Sequence, residues 1–125
     1  MNKLFLMTTF LLTFVLMTGF NKTETSKKYK NIVGTWKYEA LEAPYEYQTG
    51  EFVFERNEDN LIGYAMIAMS KIEMQDIIVN NNNISFKCNI QGENVSIDFT
   101  ISKKSFTGSA ISSGGTIPLT GLKIK

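Results

Sequence analysis

The sequence predicts an all-β protein, a small eight-stranded antiparallel up-and-down barrel. Three observations carry that expectation. From Ile32 onward apolar and polar residues alternate, with no sustained i, i+3, i+4, i+7 stripe. Turn residues break the alternation every eight to twelve positions. The second half of the chain also echoes the first at a fixed offset.

The first strand-like run, Ile32 to Ala40, holds the only Trp. Seven further candidates follow: Gly50 to Arg56, Leu61 to Met69, Ile72 to Val79, Ile84 to Ile90, Val95 to Ile101, Ser105 to Ile111 and Thr116 to Ile124. Their connections are rich in Asn and Gly, which tolerate positive φ: Asn57 to Asn60, Asn80 to Asn83, Gln91 to Asn94 and Ser112 to Gly115. Ser102 to Lys104 and Ser70-Lys71 complete the set. Links this short join antiparallel neighbours.

Sliding the chain by 45 positions places Gly50 to Val79 on Val95 to Ile124 and matches Phe54 with Phe99, Gly63 with Gly108, Ala65 with Ala110 and Ile72 with Ile117. Trp36-Lys37 falls on Phe86-Lys87 when the first loop is five residues longer than its partner. The barrel is thus expected as two four-strand pseudo-repeats. In both, the apolar phase slips near the end, which a β-bulge at Asp76 and at Gly121 explains. Closing eight strands removes the exposed edges of an open sheet. A two-sheet β-sandwich is the alternative on the same strand count.

At 125 residues the chain is long enough for one core. Residues 1–20, with Lys3 ahead of the apolar Leu4 to Phe20, read as a signal peptide. Residues 21–31 read as a flexible linker and 32–125 as the β-barrel domain. The protein is therefore expected to be secreted or periplasmic. The alternative is an N-terminal membrane anchor, although Thr8, Thr9, Thr13 and Thr18 dilute the apolar run.

Beyond Phe20 twelve basic residues face twelve acidic ones, which is no footprint for nucleic acid. With no His and one Cys, histidine base chemistry, a Cys/His zinc site and an intramolecular disulfide are excluded. Cys88 falls on the apolar face of its strand and reads as a buried, inert thiol. No enzyme, cofactor or metal site is expected.

Gly34-Thr35-Trp36, opening the first strand, resembles the G-x-W motif of the calycins, the lipocalin and avidin group, in which the Trp lies across the closed end of the barrel. The same run, with the loop Ala43 to Gly50 and Ile117-Pro118-Leu119, resembles small uncharacterised exported bacterial barrel proteins. The resemblance implies a lipocalin-like fold. The chain departs from a full lipocalin in lacking paired Cys and the helix after the barrel.

Counting inward positions gives Trp36, Tyr38, Phe52, Phe54, Ile67, Met74, Phe86, Cys88, Ile97, Phe99 and Phe106. A barrel of this size either fills with side chains or holds one small ligand. The longest connection, Leu41 to Gln48, is expected at the open mouth, the end away from Trp36, together with Ser70-Lys71, Gln91 to Asn94 and Ser112 to Gly115. Trp36 and Tyr38 inside, and Tyr45, Glu46 and Tyr47 on that loop, are the candidate ligand- or partner-binding residues.

The expected function is that of a non-catalytic exported protein binding a small, largely apolar ligand. The alternative is a protein-interaction or inhibitor module using the 41–48 loop. Partners are then a small apolar ligand or an exported protein, with membrane contact only through an uncleaved leader. An internal cavity of about 300 Å³ or more favours the ligand, and a solid core with exposed tyrosines favours the protein partner.

Overall fold

Alternation of period two sends every second side chain to one face of a sheet, and here that face curls into a barrel interior. The structure, a computed structural model, describes residues 28–125. The expected signal peptide and most of the linker lie outside the described residues. Asn31–Lys125 forms one unit, to which everything below refers.

Nine strands build it: β1 (Gly34–Glu39), β2 (Thr49–Asn57), β3 (Asn60–Ile67), β4 (Ser70–Glu73), β5 (Gln75–Asn80), β6 (Asn83–Ile90), β7 (Glu93–Ser102), β8 (Ser105–Ser112) and β9 (Gly115–Lys123). They form a single antiparallel sheet in the order β4-β3-β2-β1-β9-β8-β7-β6-β5, an up-and-down barrel closed but for the seam between its first and last members. The first and last strands of the chain pair with each other, Trp36 opposite Lys123.

The count is nine rather than eight because the expected fourth strand, Ile72 to Val79, divides at Met74. Its first part pairs with β3 as far as Glu73, and its second pairs with β6 from Gln75. A strand that crosses a seam must leave one ladder before it joins the next, and Met74 is the residue between. Its side chain is buried while its N–H donates to the Gly63 carbonyl at 3.0 Å.

Asp76 then takes φ 54, and three steps on β5, from Gln75 to Ile78, match two on β6, from Lys87 to Ser85. This is the bulge expected there. The one expected at Gly121 is absent: β9 keeps one register with β8 from Gly115 to Leu122. Gly121 lacks the side chain that would collide with Phe106, whose Cε2 lies 2.1 Å from where a Cβ would stand. The strand therefore runs straight on, and the apolar Leu122 and Ile124 face outward.

The turn between β3 and β4 also lies two residues earlier than the sequence suggests, at Ala68-Met69 rather than Ser70-Lys71. Both central residues have positive φ, 51 and 66, as a type I′ hairpin demands. Neither residue type signals such a turn.

All eleven side chains expected inside are buried. The half of the barrel next to Trp36 is filled by rings: Phe99 and Phe106 stack with centroids 4.1 Å apart, and Phe86 meets Phe52 edge-on at 5.2 Å. Each such side chain contributes about 1.5 to 3 kcal/mol by leaving water, and the edge-on contact of Phe86 with Phe52 adds to it. Trp36 closes that end, its indole N–H donating to the Ile32 carbonyl at 2.9 Å.

Register pairs recur on the two sides of the barrel. Phe54 stands opposite Gly63 as Phe99 stands opposite Gly108, and Ala65 opposite Ile72 as Ala110 opposite Ile117.

Candidate functional site

The interior is filled at one end and hollow at the other, because inward side chains shrink along several strands toward the mouth. On β1 and the residue after it the series runs Trp36, Tyr38, Ala40; on β2, Phe54, Phe52, Gly50; on β8, Phe106, Gly108, Ala110, Ser112. The space they leave is a cavity of about 540 Å³. Tyr38, Phe52 and Leu119 form its floor; Ile67, Ile90, Val95, Ile97 and Ile117 line its sides. The 41–48 loop and the turns at Gln91 and Ser113-Gly114 rim it.

The long loop is tied down. Pro44 precedes a single 3-10 turn, Tyr45–Tyr47, in which the Tyr47 N–H donates back to the Pro44 carbonyl at 2.8 Å. The Ala40 N–H donates to the Gln48 carbonyl at 2.7 Å, and the Gln48 amide donates to the Leu41 and Ala43 carbonyls at 3.2 and 3.1 Å. From inside the barrel, the Tyr38 hydroxyl donates to the Tyr47 carbonyl at 2.9 Å.

Of the five residues singled out in the sequence, Tyr38 and Tyr47 meet at the cavity. Trp36 is fully buried at the closed end, against Phe106, and does not line it. Tyr45 is 90% exposed and points away with Glu46. The rim residues Glu42, Glu93, Ser112 and Ser113 lie on the connections that the sequence places at the mouth, but none of them was singled out. Glu93 had a legible signal, since it continues the inward series Ile101, Phe99, Ile97, Val95 by one more step.

The electrostatics of the site follow from burial. Tyr38 is held neutral, its pKa pushed up to about 12 first by desolvation and then by nearby Cys88. Burial alone pushes the Cys88 thiol to about 11. At the rim, the Ser113 hydroxyl and backbone N–H both donate to Glu93 Oε1, the latter at 3.0 Å, and they lower the pKa of its carboxyl. The arrangement offers an apolar chamber with an ionised edge.

No protein-family model and no curated protein matches the sequence. Solved structures do match in fold. A redesigned β-barrel superposes with a TM-score of 0.57 at 14% identity, covering 79% of this chain and 96% of its own. A second redesigned barrel, mFAP1 bound to DFHBI, gives 0.52 at 12% identity, over 78% and 99%. A mutant of the fluorescent protein UnaG gives 0.50 at 8% identity, over 77% and 98%. The likeness is one of fold, that of an antiparallel β-barrel.

Proposed function

We propose that this is an exported, non-catalytic binding protein that holds one small, largely apolar ligand in the mouth of its barrel. The observation that carries the reading is the 540 Å³ cavity, well inside the range of small-molecule sites and walled by aliphatic and aromatic side chains. The likeness to mFAP1, a barrel bound to the small molecule DFHBI, supports it at the level of fold. The absence of His from the chain and the poor acidity of buried Cys88 and Tyr38 support a binding rather than a catalytic role.

The recurring register pairs support two related halves, which diverge where Asp76 bulges and Gly121 does not. Export rests on the apolar leader alone. Intact-mass analysis of the protein from its native host tests that part, with a start between Phe20 and Lys28 expected and a retained Met1 favouring the anchor.

Binding is tested by titrating a neutral solvatochromic dye into the protein and into Ala110→Phe, which fills the chamber. Saturable binding lost in the variant is expected, and no binding by the parent protein refutes the reading. A second reading, a protein-interaction or inhibitor module, draws on the loop that carries the exposed Leu41 and Tyr45. Retained binding of a protein partner after Ala110→Phe, with loss after Tyr45→Ala, favours that alternative.

A further inference from the structure

The cavity lining contains two carboxylates, Glu42 and Glu93, and no Lys or Arg among its described residues. From this imbalance, and resting on the ligand-binding reading above, we propose that the ligand is an amphiphilic amine, bound as its ammonium with the apolar part in the chamber and the head at Glu93 and Glu42.

Glu93 is placed for this by the strand itself. It occupies the outermost inward position of β7, directly above Val95 and Ile97, so its carboxylate stands over the opening of the chamber. Ser113, on the turn between β8 and β9, steadies one of its oxygens with two donors. Hydrogen bonds to the charged form keep a carboxylate ionised. Glu42 faces the same opening from the 41–48 loop, beyond the intervening strands β8 and β9.

The hydrogen-bond inventory points the same way. The Tyr38 hydroxyl already donates to the Tyr47 carbonyl, so it offers the chamber only an acceptor. Both donors of Ser113 are taken by Glu93. The Ser112 hydroxyl and the Gln91 amide are neutral and cannot balance an anion. A ligand with a carboxylate head would therefore lose water beside two like charges with no counter-charge, whereas an ammonium brings the positive charge that the rim lacks.

The test compares three probes with one tail and different heads: decylammonium, decanol and decanoate, each titrated calorimetrically into the protein at low salt. The ammonium is expected to bind tightest and the carboxylate weakest, the two about tenfold apart because the rim charges are partly screened by water. Added salt should narrow the gap. Glu93→Gln keeps an oxygen to accept from Ser113, and it should weaken decylammonium severalfold more than decanol, the remainder of the preference resting on Glu42. Equal or tighter binding of decanoate, or no effect of Glu93→Gln on decylammonium, overturns the assignment of charge while the ligand-binding reading stands. Failure of all three probes to bind overturns both.

Discussion

The hydroxyl of Tyr38, rising from the barrel floor, donates to the carbonyl of Tyr47 at 2.9 Å and so joins the floor of the cavity to the loop above it. Tyr38→Phe removes that donor and leaves the ring stack with Phe52, at 4.8 Å, in place. A loss of about 1 kcal/mol in denaturant melts is expected. Hydrogen exchange at the Ala40 amide, which bonds Gln48 across the base of the loop, should quicken. Unchanged exchange there would show that the loop holds its shape without the tyrosine.

Alkaline stability follows from the same burial. Tyr38 is shifted from 10.0 to about 12 and Cys88 from 9.0 to about 11, so the unfolded chain gives up both protons before the folded one does. The fold then binds more protons than the unfolded chain, and stability falls as pH rises. The contribution of the two groups is complete below about pH 9 and is lost between about pH 9 and 12. Urea melts of Cys88→Ala should show a flatter decline over the lower part of that window. An identical decline in the variant argues that the thiol is not the group titrating.

Two glycines lie beneath aromatic residues on the neighbouring strand, and they differ in what an added methyl would meet. At Gly108 it meets backbone, the Asp98 carbonyl at 2.0 Å and Phe99 Cα at 2.5 Å. At Gly63 it meets Met74 Sδ and the Val53 carbonyl, each at 2.7 Å, and the thioether can move. Both substitutions to Ala should destabilise by about 1 to 3 kcal/mol, with Gly108→Ala the worse. The reverse order in thermal melts would mean that Met74 is held more rigidly at the seam than its side chain requires.

The Ala68-Met69 turn carries positive φ at two residues that gain nothing from it, and Met69 is 98% exposed. Ala68→Asn combined with Met69→Gly supplies the pair that a type I′ turn favours. A gain of about 1 kcal/mol is expected, since the left-handed region costs an ordinary residue about that much. No gain would argue that the turn relaxes in solution to another geometry.

Tyr45 and Tyr47 separate in role. Tyr47→Ala removes a side chain from the cavity rim and should weaken any small ligand, whereas Tyr45→Ala, at an exposed position outside the cavity, should change neither ligand binding nor melting temperature. A binding loss confined to Tyr45→Ala would instead mark the loop tip as the contact for a protein partner.

Much of this architecture is legible in the sequence. Each of the eleven side chains that the alternation placed inside, from Trp36 to Phe106, is buried, because the period of a strand is a local property that the strand itself sets. Asn and Gly marked most hairpins, and the mouth could be assigned by counting connections up and down. The Ala68-Met69 turn was not legible, because the pairing of Gly50 with Ile67 on one side and Ile67 with Ser70 on the other imposes a conformation that neither residue favours.

What the sequence by itself determined is therefore the strand-like runs, the facing of most of them and the end at which the long loop lies. Tertiary structure alone decided three further matters. The fourth strand breaks at Met74 because a sheet curling to closure must pass one strand between two ladders, and where it passes depends on the whole circumference. A bulge forms at Asp76 and not at Gly121 because Phe106 fills the place that a side chain at Gly121 would need. The barrel is hollow at its mouth because cavity volume is what remains when side chains from many strands, far apart in the chain, are packed together. No single strand carries that difference in its own pattern.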